Sequence, residues 1–252
     1  MRWKFGSDSK HHYDDNNLFW GIVKYTNSMR LRITFAKQDA LRYTGHLDLH
    51  KLWERAARRA NLPLAYSQGF HPQPKISLAA ALPLGFSSRA EMMDIRLNEE
   101  LPLDEIGARL KDNLPSGIQM LNIESVDERA PALQTQIVSA EYDVILAEAV
   151  EQSELKRRVD EVMNAESLPR ERRGKQYDLR PLIEELRAME SGDSRARMGM
   201  PPDLQERAPA LHIFMRLAAR EGATGRPEEV LEVLGIPVET TRVERTRLIF
   251  QN

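Results

Sequence analysis

Between Met29 and Lys37 the chain alternates. Leu31, Ile33 and Phe35 are apolar while Arg30, Arg32 and Thr34 are polar, the two-residue period of a strand with one buried face. The period then changes. Over GHLDLHKLWERAARRAN (45–61), Leu49, Leu52, Trp53, Ala56 and Ala60 recur at helical spacing, and Lys51, Arg55, Arg58 and Arg59 fall on the opposite side. Thr44 is placed to cap this helix, and Asn61 before Leu62-Pro63 to stop it. KISLAAALPLG and AEMMDIRLNEE read as strands. PLDEIGARLKDNLP reads as a helix with Pro102 near its first position and acids in its first turn, and IQMLNIESVD as a further strand.

That order is β-α-β-β-α-β, the split motif of the ferredoxin-like arrangement. Past the linker ERAPALQTQ it recurs. EYDVILAEA is a strand, SELKRRVDEVMNA a helix with Ser153 as cap, ALHIFMRLAAR a strand, RPEEVLEVLG a short helix and RVERTRLIF a closing strand. ESLPRERR reads as extended, and KQYDLRPLIEEL fits an extended segment or a helix. The expected fold class is therefore α+β, as two tandem ferredoxin-like units over residues 29–129 and 138–252. A long polar loop is expected near 190–209, and residues 1–28 read as a loosely ordered or non-native extension.

Composition narrows the chemistry. The 252 residues contain no cysteine, which excludes disulfides, thiolate metal sites and cysteine nucleophiles. No apolar run reaches membrane-spanning length, and the first residues lack a secretory signal layout, so the expected compartment is the cytoplasm. The formal net charge of −2 hides an asymmetry. Residues 29–89 carry ten Lys/Arg against three Asp/Glu, whereas residues 91–128 carry three against ten.

LRYTGHLDLHKLWERAARRANLPLAYSQGFHPQPKISLAAALPLG resembles the radical-SAM-associated family catalogued as domain of unknown function 2344, as do RGKQYDLRPLI and the closing RVERTRLIF. The resemblance covers about residues 29–252, without the loop near 191–209. It implies a radical-SAM protein as partner and a role near RNA or ribosome maturation. It brings no catalytic residue and no cofactor.

The densest chemistry lies in YSQGFHPQPKIS (66–77). Gly69 permits a sharp turn, and Pro72 and Pro74 stiffen it. Tyr66, Phe70, His71 and Lys75 follow directly on the basic helix side of Lys51, Arg55, Arg58 and Arg59. Cations along phosphates combined with aromatic planes under bases are the means by which single-stranded RNA is held. The competing use of the same residues is structural, with Phe70 plugging the core and the prolines guarding an edge strand. A second basic cluster, Arg170, Arg172, Arg173 and Lys175 with Arg180, lies in the other half, and Arg245 and Arg247 are expected on one face of the last strand with Val243.

His46 and His50, four apart, would share a helix face, and His71 could join them only through folding. As weak candidates for acid–base chemistry they define a metal-independent RNA-processing enzyme. They supply too few ligands for a zinc site, and His11, His12, Asp14 and Asp15 lie in a polar tail that preorganises nothing, so no metal is expected. Three readings result: a non-catalytic module that recognises RNA or a ribosomal substrate for a radical-SAM partner, which is favoured; the histidine enzyme; and an adaptor docking a protein on the acidic strip.

Overall fold

The computed structural model describes residues 28–147, 150–189 and 211–251. The first half runs β1 (Met29–Lys37), α1 (His46–Arg59), β2 (Ile76–Leu78), β3 (Ser87–Leu97), α2 (Leu103–Lys111) and β4 (Ile118–Val126). The second runs β5 (Ile137–Leu146), α3 (Gln152–Asn164), β6 (Pro169–Arg172), β7 (Lys175–Asp178), β8 (Ile183–Met189), β9 (His212–Arg220), β10 (Ala223–Thr224), α4 (Pro227–Val233) and β11 (Thr241–Phe250). It is a mixed α/β fold with four helices among the described residues. The expectations for residues 1–27 and for the loop at 190–209 lie outside those residues.

Nine strands form one sheet in the order β10-β9-β5-β11-β3-β1-β4, with β8 also on β9 and β2 on β3; β6 and β7 form a separate hairpin. Every pairing is antiparallel except β11 with β3, where Glu244 and Arg245 lie beside Ser87 and Ser88. Paired residues project to the same side of a sheet, and that fixes the layers. Leu31, Ile33 and Phe35 pack with Leu49 and Trp53 of α1 and Ile106 and Leu110 of α2. Trp53 meets Phe35 edge to face at 4.8 Å. Tyr142, Val144, Met215 and Val243 pack with Leu155 and Val159 of α3 and Val230 and Leu231 of α4. Glu91 partners Phe35 across strands and also binds Arg245, which shares its face with Val243, so both cores lie on one face of the sheet. The opposite face is laced with ion pairs: Arg30–Asp94 at 2.6 Å, Arg32–Asp94 at 2.9 Å, Arg89–Asp143 at 2.7 Å and Arg216–Glu141 at 2.7 Å.

Several local expectations shift by a residue or more. The N-cap of α1 is Gly45 rather than Thr44, that of α2 is Pro102 itself, and that of α3 is Glu151, which leaves Ser153 inside the helix. Asn61 does end α1, with φ at 51° just past Ala60. KQYDLRPLIEEL is extended, with β7, a 3-10 turn at Arg180–Leu182 and β8; Pro181 is compatible with the turn but not with a helix interior. KISLAAALPLG is a strand only over Ile76–Leu78. The chain then bends away, and Ala79, Leu82 and Phe86 are buried in the second half's core.

The seam between the halves is polar and buried. Arg245 donates from Nε to Glu91 at 2.8 Å, from Nη1 to the Ala81 carbonyl at 3.0 Å and from Nη2 to the Ala80 carbonyl at 3.3 Å, and it also bonds Glu91 through Nη2. Ser88 Oγ donates to the Arg245 carbonyl at 3.1 Å, and Gln38 Nε2 to Glu244 at 2.7 Å. Buried Lys37 donates to the Thr44 carbonyl at 3.0 Å. Burial holds its ammonium pKa below the ordinary lysine value, Glu91 working against that and Arg245 with it. The expectation that Arg245 and Arg247 share a face fails. Register shifts between them, so Arg247 lies beside Glu141 on the ion-pair face while Arg245 points into the seam.

Candidate nucleic-acid interface

Ala65 to Lys75 form a short arm. The Lys75 amide donates to the Ala65 carbonyl and the Ser67 amide to the Gln73 carbonyl, both at 2.8 Å, and Tyr66 bridges to Pro74. Ser67 Oγ accepts the Gln73 amide at 2.9 Å and locks the neck. Gly69 turns the tip with φ at 129°. Phe70 is fully exposed there, with His71, Pro72 and Gln73. Phe70 therefore does not plug the core; that place is taken by Leu62, Leu64 and Ile76 at the arm's base.

The helix and the arm meet. Lys51, Arg55, Arg58 and Arg59 are all exposed along α1. Arg58 donates to the Tyr66 hydroxyl from Nε at 3.2 Å and from Nη2 at 3.1 Å, its guanidinium 5.9 Å from the ring centroid, and pairs with Glu54 at 3.1 Å. Among the described residues Lys51, Arg55 and Arg59 have no ion-pair partner. Lys75 lies elsewhere. β2 register sets it opposite Arg96 on the ion-pair face, where Ser67, Gln73, Arg96 and Arg30 line a recess of about 410 Å³.

The histidines divide. His50 Nε2 lies 3.2 Å from the Ile76 carbonyl, tying α1 to β2. His46 sits one turn earlier, its pKa lowered first by burial and then by His50. His71 stands at the arm's tip, while His50 touches its base. Among the described residues no three His, Asp or Glu side chains gather as a metal-ligand set.

The second basic cluster occupies the β6–β7 hairpin, whose turn residues Arg173 and Gly174 both have positive φ, at 53° and 75°. Arg173 and Lys175 are exposed and Arg170 is half-buried. Arg172 is engaged internally, 3.0 Å from Glu229, 3.2 Å from the Thr224 carbonyl and stacked on Tyr177 at 4.8 Å. Arg180 donates to the Met163 carbonyl at 2.7 Å and the Ile183 carbonyl at 2.9 Å. β10, beside this hairpin, is four strand spacings from β3, ~19 Å.

Two features lie outside the expectations drawn from the sequence. One is a cavity of about 700 Å³ on the helix-covered face at the seam, with Tyr142 and Arg245 among its lining and residues 79–83 and 224–228 around it. Burial raises the Tyr142 hydroxyl above its ordinary pKa. These positions are scattered along the chain, and no spacing announces them. The other is a set of exposed apolar side chains: Tyr43 just before α1, Leu47 in its first turn, and Leu84 in the segment that the Gly85–Arg42 backbone bond ties to the Tyr43 turn. Its signal was legible, because Leu47 heads the row 47, 51, 55, 59 on the polar side of the helix.

A mixed α/β protein with an exposed aromatic arm and a cationic helix is the class these features define. The chain belongs to the family described as "Uncharacterized protein conserved in bacteria (DUF2344)", whose model matches residues 30–227. No curated protein matches it. Among solved structures it is similar to a heme-bound variant of DypB from Rhodococcus jostii RHA1, at 11% identity and a TM-score of 0.21 over 86% of this chain and 90% of that one. A DypB variant in complex with manganese follows at 12% identity and 0.19, over 84% and 85%.

Proposed function

We propose that this chain is a non-catalytic recognition module that binds single-stranded RNA, or RNA of a ribosomal substrate, for a radical-SAM partner that carries the chemistry in the cytoplasm. The observation that carries this reading is the Arg58–Tyr66 contact, which makes the cationic row of α1 and the arm bearing Phe70 one surface. Cations suit the phosphates and exposed aromatic rings suit the bases. The partner follows from what the family resemblance implies. The strand orders β4-β1-β3-β2 and β11-β5-β9-β8 support two ferredoxin-like units fused edge to edge through β11 and β3. A histidine enzyme is less well supported, because His50 is bonded to the Ile76 carbonyl and His71 stands apart on the arm.

Fluorescence anisotropy with labelled single-stranded RNA at 50 to 200 mM salt tests the proposal. Replacing Arg55, Arg58 and Arg59 together by Ala weakens binding and makes the plot of log K against log salt shallower by about 2, near 0.7 per lost phosphate contact. Unchanged affinity and slope would remove the proposal.

A further inference from the structure

Resting on the RNA reading above, we infer that the surface continues to a second base platform at Tyr43, and that its ligand is a single strand of about four to six nucleotides held between Tyr43 and the arm. Tyr43 ends the 3-10 turn Asp39–Tyr43 immediately before α1. Tyr43 is 59% exposed, with the Arg42 guanidinium 4.8 Å from the ring centroid and Arg42 Nη2 donating to its hydroxyl at 2.8 Å. A cation stacked on an aromatic ring restricts that ring's motion in the free protein, which lowers the ordering cost when a base stacks.

The surroundings support a flat, apolar ligand at that end. Leu47 is 75% exposed and Leu84 is 65% exposed. The Gly85 amide donates to the Arg42 carbonyl at 2.9 Å and holds the Leu84 segment against the Tyr43 turn. From Leu47 the exposed row continues through Lys51 and Arg55 to Arg59, with Arg58 and Tyr66 at its far end. An aromatic ring thus stands at each end of one cationic row.

The spacing sets the length of the ligand. His46 to Arg58 is twelve residues of helix, ~18 Å at 1.5 Å per residue. A stacked strand advances about 3.4 Å per nucleotide, so it covers that distance in about five steps, and an unstacked strand does so in fewer.

The test is binding of labelled oligouridines of two to ten nucleotides at low salt, by anisotropy, to the full chain and its variants. Affinity rises steeply up to about six nucleotides and then flattens. Tyr43→Ala weakens hexamer binding about 5- to 150-fold, the range for losing one base–aromatic stack, while dimer binding at the arm is unchanged and Tyr43→Phe binds as the parent does. Circular dichroism checks that each variant is folded. A hexamer bound equally by Tyr43→Ala, with binding still lost in the triple arginine variant, overturns the second platform and leaves the RNA surface standing. Affinity that keeps climbing evenly to ten nucleotides overturns the footprint. A parent chain that binds no oligonucleotide at any length overturns the RNA reading, and the platform with it.

Discussion

Removing the Glu91 carboxylate strands a charge that cannot be discharged. The side chains of Arg245 and Glu91 are 1% and 2% exposed, and the guanidinium donates to both carboxylate oxygens. In Glu91→Ala the two carbonyl bonds from Arg245 survive, but the guanidinium stays buried and protonated, with the Lys37 ammonium now also unopposed. Breaking a buried pair from one side costs about 3–5 kcal/mol, a large share of the roughly 5–15 kcal/mol that a folded domain has in hand. Urea unfolding followed by circular dichroism measures it. With a slope of about 2–3 kcal/mol per molar, the midpoint falls by about 1–2.5 M. The paired variant Glu91→Leu with Arg245→Met replaces both charges by apolar volume and recovers most of that loss, because the desolvation cost leaves with the attraction. A single variant that shifts the midpoint by less than about 0.3 M, or a paired one less stable than the single, would refute this account of the seam.

Gly117 has φ at 90°, and a Cβ there would stand 2.8 Å from the Gln38 carbonyl oxygen, so Gly117→Ala destabilises by at least about 2 kcal/mol in the same urea assay. Trp53→Ala empties the centre of the first core and costs about 3–5 kcal/mol; a loss under about 1.5 kcal/mol would mean that the core closes over the gap. His212 is buried at the start of β9, and burial holds its pKa below the ordinary value against the pull of Asp143. Above about pH 6.5 both folded and unfolded chains are neutral at this site. As pH falls through that value the unfolded chain takes up a proton that the folded chain resists, and stability declines. His212→Asn therefore shows a smaller drop in Tm between pH 7.5 and 5.5 than the parent, and an equal drop would assign the effect elsewhere. Phe70→Ala leaves Tm within about a degree of the parent, since the ring is fully exposed, while weakening RNA binding about 5- to 150-fold.

The first half was legible because each of its elements declares itself locally. The alternation in β1, the apolar stripe of α1 and the turn chemistry of the arm each need only neighbouring residues. The exposure of Phe70 could not be settled that way, because a Gly-Phe-His turn serves a plug and a platform equally well. Arg245 was misread for a related reason. Strict alternation puts it with Arg247, and only the register shift against β5 separates them. Nor does any local pattern reveal that Glu91, some 150 positions earlier, waits for its guanidinium. KQYDLRPLIEEL was ambiguous because Leu179, Leu182 and Ile183 suit either period, and pairing of β8 with β9 decided the matter.

Among the described residues β11 is the last of eleven strands in chain order, yet it sits between β5 and β3 near the middle of the sheet. During synthesis, one whole edge of β5 and the Ser87–Ser88 end of β3 stay bare until residues 241–250 have left the ribosome. Until then the two halves are held by the linker, the packing of Ala79, Leu82 and Phe86 and the Arg89–Asp143 pair, without the strand that joins β3 to β5. A nascent chain stalled short of Thr241 would thus present an open β5 edge of the kind that recruits other strands.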